Sequence, residues 1–401
     1  MSRLLLLSNG HGEDLSGALL GKALAKLGHQ IEALPLVGLG HSYSDAGIQV
    51  LCRGREFSTG GLGYTTLLGR FKELLEGQVW YVLKRILRLL FVADKYDLIV
   101  VVGDVLPVFI AWLSGRPVAT YLVAYSSHYE GRLRLPWPCG YCLASRRFLG
   151  IYSRDKLTAD DLTNQLGCLV SFLGNPFIEP ALILRKPLPQ CRRRLGLLPG
   201  SRRPELESNL ILMLSVVELF PSDFIVNGEI TLDMALVSDL DDQALSDLVV
   251  ANGWELCSSS YPYMNSQLIN GSIHINVQRR SFAEVLQSSD LLLCMAGTAA
   301  EQAISLAKPV LQLPGFGPQF TASFAEAQRR LLGPAIFCAE GLPGETLTFL
   351  NTAYMALDLL VRSKKDLKFQ NKCKEEALLR LGNKGGANKI AEDITRLLNK
   401  C

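Results

Sequence analysis

The clearest strand in this sequence is the apolar run Asp97-Leu98-Ile99-Val100-Val101-Val102-Gly103-Asp104. Its apolar and mostly β-branched residues occupy both faces, which is typical of a central parallel strand buried on both sides. Shorter apolar runs at 3–8, 30–36, 117–123 and 148–152 predict further strands around it. The sequence therefore predicts an α/β fold assembled from βαβ units.

The same alternation restarts after residue 194. Strands are predicted near 195–199, 223–227, 254–258, 274–277, 290–294 and 309–313, and helices near 205–219, 298–306, 321–331 and 387–398. The intervening stretch 174–194 contains four prolines and ends in three arginines, which is typical of a linker. We therefore expect two Rossmann-like domains facing a cleft. The expected parts are an N-terminal domain at 1–173, the linker, a C-terminal domain at 195–375, and C-terminal helices at 376–401 that pack back on the N-terminal domain.

Composition narrows the class of protein. The 401 residues are 48% hydrophobic and 20% charged, which excludes extended disorder. Lys plus Arg number 41 and Asp plus Glu 38, a net charge of +3 that argues against a nucleic-acid partner. No apolar run approaches the ~20 residues of a membrane span, and the run near Met1 is too short for a signal peptide. We expect a cytoplasmic protein.

The ten cysteines are scattered, as expected for free thiols in a reducing compartment. Cys139 and Cys142 form a Cys-x-x-Cys pair, but no second pair follows at a spacing typical of metal ligands. We therefore expect incidental thiols and no metal site.

A phosphate-binding turn is predicted in the second half, where an apolar strand leads into Gly297, Thr298 and a helix. Free N–H groups at a helix N-terminus favour phosphate, and glycine permits close approach. Glu301, one turn later, is placed to accept ribose hydroxyls. The alternative is an ordinary strand–helix turn with Thr298 as its N-cap.

A second turn of this type contains Gly200, Ser201, Arg202 and Arg203. An arginine there would neutralise a diphosphate leaving group. The alternative is a solvated arginine pair at a helix entry. Two such turns in one half favour a nucleotide diphosphate site.

The first strand leads into Gly10, His11, Gly12, Glu13 and Asp14. Ligands of open α/β sheets bind at the carboxyl ends of strands. No Gly-x-Gly-x-x-Gly or P-loop motif is present, so we expect no dinucleotide cofactor. His11, Glu13 and Asp14 are candidates for handling an acceptor hydroxyl, with a hydrogen-bonded turn histidine as the alternative for His11.

Asp104 directly follows the strongest strand and is a candidate general base for deprotonating an attacking hydroxyl. A helix-capping aspartate is the alternative. His128 is a second candidate at the same edge.

A family resemblance rests on these motifs. The segment from Leu198 to Arg202 with Glu205, the loop Gly297-Thr298-Ala299 and the start from Gly12 to Gly17 together resemble lipid-A-disaccharide synthase. More broadly they resemble GT-B glycosyltransferases, including the peptidoglycan glucosaminyltransferase and the UDP-GlcNAc 2-epimerases. Glu301-Gln302-Ala303 with Lys308-Pro309-Val310 is similar to the segment that these families use around the nucleotide ribose.

The resemblance implies a UDP-sugar donor in the second domain, an acceptor in the first, inverting transfer and no cofactor or metal. Arg202 would correspond to the arginine near the donor diphosphate and Asp104 to a catalytic aspartate. Glu301 comes one residue earlier than the synthase glutamate, so Gln302 would occupy that position. Residues 124–138 replace a segment of the synthase that is rich in Ser, Pro and Trp.

The expected function is therefore a UDP-sugar-dependent glycosyltransferase with a lipid-linked or amphiphilic acceptor. The expected catalytic residues are Asp104 and His11, one of which takes the proton of the attacking acceptor hydroxyl. The alternatives are a UDP-GlcNAc 2-epimerase-like enzyme and a non-catalytic nucleotide-sugar-binding protein.

A membrane contact is predicted from a helix around 79–91, at about 100° per residue. One arc is expected to pack on the domain and carries Val79, Val82, Leu83, Ile86, Leu89 and Leu90. The opposite arc mixes aromatic and cationic residues, namely Trp80, Tyr81, Lys84, Arg85, Arg88 and Phe91. Such a face suits the cytosolic surface of an anionic membrane, and the alternative is a solvated basic face.

Overall fold

The computed structural model describes residues 1–52, 78–129, 131–258, 266–317 and 321–400. Contacts divide the chain into two compact units. Unit 1 comprises Met1–Glu179 with Leu381–Cys401, and unit 2 comprises Pro180–Arg380. The division falls inside the predicted linker, with 174–179 in unit 1 and 180–194 in unit 2. Residues 376–380 also belong to unit 2.

Unit 1 contains a parallel sheet in the order β3-β2-β1-β4-β5-β6-β7. Its described strands are β1 (Arg3–Ser8), β2 (Gln30–Pro35), β3 (Gln49–Val50), β4 (Leu98–Gly103), β5 (Val118–Leu122), β6 (Phe148–Ser153) and β7 (Val170–Ser171). From β1 the chain adds β2 and β3 on one side of the sheet, and from β4 it adds β5, β6 and β7 on the other side. This doubly wound arrangement confirms the α/β fold expected of the first half.

Helices cover both faces of this sheet. They are α1 (His11–Lys26), α2 (His41–Asp45), α3 (Gln78–Val92), α4 (Val105–Leu113), α5 (Cys139–Leu143), α6 (Lys156–Leu166) and α7 (Glu179–Leu182), which crosses into unit 2. Leu5 and Leu7 of β1 pack with Leu89, Val92 and the residues of α4 and α5. Leu4 and Leu6 face the other way, toward α1. Burial on both faces explains why β1 and β4 lack a polar alternation.

The C-terminal helix of the chain, Gly386–Leu398, belongs to unit 1. Its residues Ala387, Ile390 and Ile394 are buried on the same side of the sheet as α1. Tyr152 of β6 donates a hydrogen bond to Asp393 at 2.8 Å. These contacts complete the second face of the unit 1 sheet.

Unit 2 contains a mixed sheet in the order β10-β11-β12-β9-β8-β13-β14-β15. Its strands are β8 (Arg194–Leu198), β9 (Thr231–Leu236), β10 (Glu255–Ser258), β11 (Ser266–Asn270), β12 (Ile273–Arg279), β13 (Leu291–Cys294), β14 (Val310–Gln312) and β15 (Ile336–Cys338). The pairs β10–β11 and β11–β12 are antiparallel, and the other pairs are parallel.

The helices of unit 2 again flank a sheet. They are α8 (Glu205–Glu218), α9 (Ser222–Val226), α10 (Asp242–Val250), α11 (Phe282–Ser288), α12 (Gly297–Ser305), α13 (Ala322–Leu332), α14 (Thr346–Lys365) and α15 (Leu367–Leu381), and the helix Gly386–Leu398 of unit 1 is α16. Two α/β units with largely parallel sheets confirm the predicted fold class.

One predicted strand of unit 2 is wrong. Residues 223–227 belong to α9 and its C-cap, and the strand lies later, at Thr231–Leu236. The error arises because this strand carries a fully buried charge, Asp233, which interrupts the apolar pattern. Asp233 forms an ion pair with buried Arg194 of β8 and accepts hydrogen bonds from Asn276 and Gln278.

The orientation of α3 also differs from the helical-wheel prediction. Arg85 is only 5% exposed, so its assignment to the outward arc is wrong. Leu83 and Leu90, which were expected to pack inward, are each 40% exposed. Lys84, Arg88 and Phe91 are exposed as predicted, while the side chains of Trp80 and Tyr81 lie outside the described residues. No helix in the described ranges is long and apolar enough to span a bilayer.

Candidate functional site

Unit 1 has a topological switch point between β1 and β4. These strands are neighbours, with Ser8 opposite Val102, yet the chain leaves them toward opposite sides of the sheet. The turn after β1 therefore lies beside the turn after β4, where open α/β sheets bind ligands. This places the predicted residues Gly10, Gly12 and Glu13 at the same sheet edge as Asp104.

Hydrogen bonds hold the acidic turn after β1. Glu13 Oε2 accepts the backbone N–H of Asn9 at 2.8 Å. Ser8 Oγ donates to Asp14 Oδ1 at 2.6 Å and accepts the Tyr43 hydroxyl at 2.8 Å. Asp14 is 2% exposed, so its carboxyl group belongs to a buried network. Glu13 is partly exposed and remains the candidate for contact with substrate.

Asp104 is both a helix cap and a neighbour of Glu13. Its Oδ1 accepts the backbone N–H of Leu106 at 3.1 Å, so the capping role is real. Its carboxyl group is also hydrogen-bonded by the Asn9 side chain. One residue earlier, Gly103 lies so close to Glu13 that a Cβ there would be 2.8 Å from Glu13 Oε2. Asp104 therefore caps α4 and lies beside Glu13 at the same time.

The acidity of this cluster is shifted toward neutral pH. Burial raises the pKa of Glu13 well above its usual value, and the negative charge of Asp104 raises it further. Burial also raises the pKa of Asp104 and brings that of Asp14 to about 6. Two neighbouring carboxyl groups with raised pKa values are thus available for proton transfer at one strand edge.

Tyr125 is a member of the site that sequence reasoning missed. It follows β5, and its hydroxyl oxygen accepts the backbone N–H of Val105 at 2.9 Å. Burial raises the pKa of Tyr125 above its usual value, and the charge of Asp104 adds to that effect. Tyr125 lies shortly after β5, the strand next to β4, and this position is the sequence signal that would have identified it.

The two histidine candidates differ in what the structure shows. His11 is the first residue of α1, but its side chain lies outside the described residues. His128 is partly buried in the loop after β5, with Nε2 3.8 Å from Asp155 Oδ1. Asp155 caps α6 by accepting the N–H of Thr158. His128 is thus placed beside Asp155.

Unit 2 has its own switch point, between β8 and β13. These strands are parallel neighbours, with Leu198 opposite Cys294, and the turns that follow them contact each other. Gly200 has a φ of +106°, and a Cβ there would lie 3.2 Å from the carbonyl oxygen of Met295. Glycine is therefore required where the two turns meet. The structure brings the predicted Gly200 and Gly297 turns together.

The second of these turns opens a helix of nine residues, α12. Its N-cap, Ala296, provides no side-chain hydrogen bond, so Thr298 is not the N-cap. The first N–H groups of α12 have no acceptor within the helix and point toward the strand edge. Thr298 is exposed, and Gly297 lies against Gln328, whose Nε2 would be 2.8 Å from a Cβ at Gly297.

The arginines before α8 are not equivalent. Arg203 forms an ion pair with Glu207. Arg202 is exposed, and its side chain makes no hydrogen bond or ion pair with any residue of the described ranges. Ser201 is exposed beside it. Arg202 is therefore the cation that remains for an anionic ligand.

The two ribose candidates also differ in exposure. Glu301 is partly exposed, whereas Gln302 is buried, at 8% exposure. Adjacent helical positions project about 100° apart, so the two side chains point in different directions. The exposure favours Glu301.

The Cys-x-x-Cys pair is buried in α5. Burial raises the pKa of Cys139 to about 12 and also raises that of Cys142, so both remain thiols at neutral pH. Within the described residues, no group of His, Cys, Asp and Glu side chains is arranged to hold a metal ion.

No protein-family model and no curated protein sequence matches this chain. Solved structures match it over nearly its full length. A UDP-GlcNAc 2-epimerase from Neisseria meningitidis bound to UDP-GlcNAc aligns over 100% of both chains, with 13% identity and a TM-score of 0.54. A calicheamicin glycosyltransferase aligns over 100% of this chain and 99% of its own, with 17% identity and a TM-score of 0.55. A spinosyn rhamnosyltransferase complexed with thymidine diphosphate aligns over 98% of this chain and 99% of its own, with 16% identity and a TM-score of 0.51.

At these identities the similarity establishes the fold. The chain has the GT-B fold that glycosyltransferases share with UDP-GlcNAc 2-epimerases, as the resemblance in its motifs predicts.

Proposed function

We propose that the protein is an enzyme that binds a UDP-sugar and breaks the bond between the sugar and UDP. The observation that carries this proposal is the pair of touching glycine turns at the switch point of unit 2, with Arg202 exposed beside them. Structural neighbours with bound UDP, UDP-GlcNAc and thymidine diphosphate support the choice of ligand.

Each part of the unit 2 site has a role in this proposal. The N–H groups at Gly297 and Thr298 hold a phosphate at the N-terminus of α12. The backbone at Gly200 and Ser201 permits close approach of the diphosphate, and Arg202 neutralises the charge that develops on departing UDP. Glu301 accepts the ribose hydroxyls. No metal ion or cofactor is required by this scheme.

The first candidate reaction is inverting transfer to an acceptor hydroxyl, for which Asp104 of unit 1 is the proposed base. The acceptor oxygen attacks the anomeric carbon, the carbon–oxygen bond to UDP breaks, and UDP leaves with the electron pair. Asp104 takes the hydroxyl proton, and Glu13 beside it forms a hydrogen bond to the acceptor. Gly10 and Gly12, whose Cβ positions have no neighbour within 4 Å, leave room for the acceptor.

The second candidate is 2-epimerisation, which the fold supports at least as well, since several structural neighbours are UDP-GlcNAc 2-epimerases. A specific feature of unit 1 favours it. For inversion at the carbon next to the anomeric centre, a base removes the proton of that carbon as the bond to UDP breaks, so that a double bond forms between the two carbons and UDP leaves with its electron pair. Return of a proton to the opposite face, with UDP adding back to the anomeric carbon, gives the 2-epimer. Glu13 and Asp104, which are neighbours at one strand edge, are the proposed groups for these proton transfers.

The acceptor in the transfer reaction is proposed to be lipid-linked or amphiphilic, as in the lipid-A-disaccharide synthase that the motifs resemble. The exposed face of α3 supports this proposal, because Lys84 and Arg88 are interspersed with Leu87 and Phe91 there. Such a face suits peripheral binding to the cytosolic side of an anionic membrane.

Product analysis of UDP-GlcNAc turnover distinguishes these functions. The protein is incubated with UDP-GlcNAc alone and with a membrane lipid extract, and products are followed by mass spectrometry and NMR. An epimerase forms the 2-epimer without lipid, and a transferase releases UDP only when the acceptor is present. UDP binding without any turnover in either reaction, and with other UDP-sugars, would identify a non-catalytic binding protein.

A further inference from the structure

A pocket of about 850 Å³ opens in unit 1 between the loop 132–135, helix α5 and helix α6. Its volume is in the range of ligand sites in proteins, roughly 300–1,000 Å³. The residues that line this pocket are not among those described at the switch point of unit 1.

Part of the pocket lining is apolar. Leu133, Leu135 and Leu166 line its walls, and Gly140 with Ala144 forms a floor of small residues. A Cβ on Gly140 would lie 3.8 Å from both Leu135 Cδ1 and Leu166 Cδ2. The space between these leucines is therefore open because position 140 has no side chain.

Hydrogen bonds preform this pocket. Asp161 of α6 accepts the backbone N–H of Leu133 and the hydroxyl of Ser127, each at 2.7 Å. Gln165 Nε2 donates to the Leu133 carbonyl at 2.9 Å and to Asp161 at 2.8 Å. The loop is thus fixed to α6, so ligand binding requires little further ordering of the loop.

The polar part of the lining is cationic. Arg132 and Arg134 are exposed, and across the described ranges neither side chain makes a hydrogen bond or ion pair. From Gly131 to Arg154 the sequence contains five arginines and no Asp or Glu. The Asp161 carboxylate is engaged by the loop, and its pKa is lowered by those hydrogen bonds and by the charge of Arg132.

We propose that this pocket binds a lipid phosphate, with the hydrocarbon chain against the three leucines and the phosphate on Arg132 and Arg134. Arginine is suited to this role because its planar guanidinium forms paired hydrogen bonds to phosphate oxygens. The occupant is thus an amphiphile with a single chain and an anionic head. As the binding subsite of the acceptor, this assignment rests on the proposed function, but binding itself does not require turnover.

Calorimetry with dodecyl phosphate, below its micelle concentration and without UDP-sugar, tests the proposal. We expect dodecyl phosphate to bind and inorganic phosphate at equal concentration not to compete with it. Neutral dodecyl maltoside should bind at least about tenfold more weakly, because it lacks the charge-assisted hydrogen bonds to the arginines. No binding of dodecyl phosphate, or full competition by inorganic phosphate, would overturn the assignment.

Two kinds of variant locate the ligand. R132Q/R134Q is expected to weaken binding about tenfold or more by removing the phosphate contacts. Gly140→Leu fills the floor and is expected to abolish binding, and Ala144→Leu, at an exposed floor position, repeats the test if Gly140→Leu does not fold. The control K22Q/K26Q removes the same charge from exposed positions on α1, across the sheet.

Unchanged binding in R132Q/R134Q or in a folded floor variant would place the ligand elsewhere and end the proposal. Failure of the proposed function has a different signature. If the protein binds dodecyl phosphate at this pocket but turns over no UDP-sugar, the pocket assignment holds and the proposed function fails.

Discussion

The carboxylate of Glu13 lies directly against the backbone of Gly103, such that a Cβ on Gly103 would be 2.8 Å from Glu13 Oε2. The same Cβ would be 2.8 Å from Cγ of Pro107, whose ring cannot move aside easily. Close approach of the turns after β1 and β4 therefore requires glycine at position 103. Glu13 and Asp104 are neighbours because these two turns approach so closely.

Gly103→Ala is expected to destabilise the protein by about 1–3 kcal/mol, the usual cost of overpacking, and to displace Glu13. Urea unfolding measures the first effect and UDP-sugar turnover the second. Gly12→Ala is the matched stability control, because a Cβ there meets nothing within 4 Å and the residue is in α1. It should be neutral or stabilising by up to ~1 kcal/mol. Equal stability of the two variants would contradict the argument.

Asp104→Asn is expected to lower turnover by ~10²-fold or more, the scale of losing a general base. Asparagine caps helices as well as aspartate does, so the melting temperature should change little. Asp241→Asn provides the control, since Asp241 caps α10 through the N–H of Ala244 in unit 2 and is exposed. Full activity of Asp104→Asn would leave Asp104 with capping alone.

Much of this fold was predictable because buried parallel strands have an unmistakable pattern. The uninterrupted apolar run ending at Gly103 and the first strand ending at Ser8 are recovered within a residue. Their turns identify Glu13 and Asp104 as neighbours, because parallel strands present their carboxyl ends at one edge. The touching turns at Gly200 and Gly297 follow from the same rule.

The features that sequence analysis missed depend on tertiary packing. The strand at Thr231–Leu236 was missed because the charge of Asp233 interrupts its apolar pattern. The ion-pair partner that accompanies its burial, Arg194, lies on the neighbouring strand. Arg85 is buried although helical periodicity places it on the polar arc, since tertiary contacts decide which arc of α3 faces the core. Tyr125 joins the site through a hydrogen bond from the N–H of Val105, 20 residues away in sequence.

Arg202→Ala is expected to weaken UDP binding by ~1.5–3 kcal/mol, the range for a lost charge-assisted contact. Arg203→Ala is the matched control, because its guanidinium is already paired with Glu207. Its effect on UDP affinity should be within about 0.5 kcal/mol, as for a surface change away from the ligand. Titration calorimetry measures the UDP affinity of both variants, and equal losses of affinity would remove Arg202 from the diphosphate site.

Asp14 is expected to make stability depend on pH between about 4 and 6. Burial raises its pKa from 3.8 to about 6 in the folded protein. A raised carboxyl pKa stabilises the fold at low pH, and this contribution is lost as pH rises through the folded value. At 1.36 kcal/mol per pKa unit, the loss is roughly 3 kcal/mol.

Urea unfolding of wild type and Asp14→Asn across this pH range measures that contribution. The free energy of unfolding of the wild type should fall relative to the variant as pH rises from 4 to 7. Ser8→Ala removes a hydrogen bond that counteracts burial, so it should shift the transition to higher pH. Parallel pH profiles for wild type and Asp14→Asn would show that Asp14 titrates normally.

Peripheral membrane binding is expected to depend on the exposed face of α3, where Leu87 is 56% and Phe91 75% exposed beside Lys84 and Arg88. Each cation contributes ~1 kcal/mol at an anionic surface, so K84Q/R88Q should weaken sedimentation with anionic vesicles roughly 30-fold. Binding should also fall as salt rises, because exposed charges are screened over about 8 Å at physiological ionic strength. Arg85 is left unchanged, since it is buried and its replacement would disturb the fold.

The control K22Q/K26Q removes two charges from α1 on the other face of the unit 1 sheet and should bind vesicles as wild type does. Phe91→Ser tests the apolar component, and it should weaken binding at every salt concentration because insertion of an aromatic ring is not screened. Loss of binding in K84Q/R88Q alone indicates an electrostatic contact, and loss in both indicates insertion at the interface. If both variants bind like wild type, α3 is a solvated basic face, and a soluble acceptor becomes the better substrate for the transfer reaction.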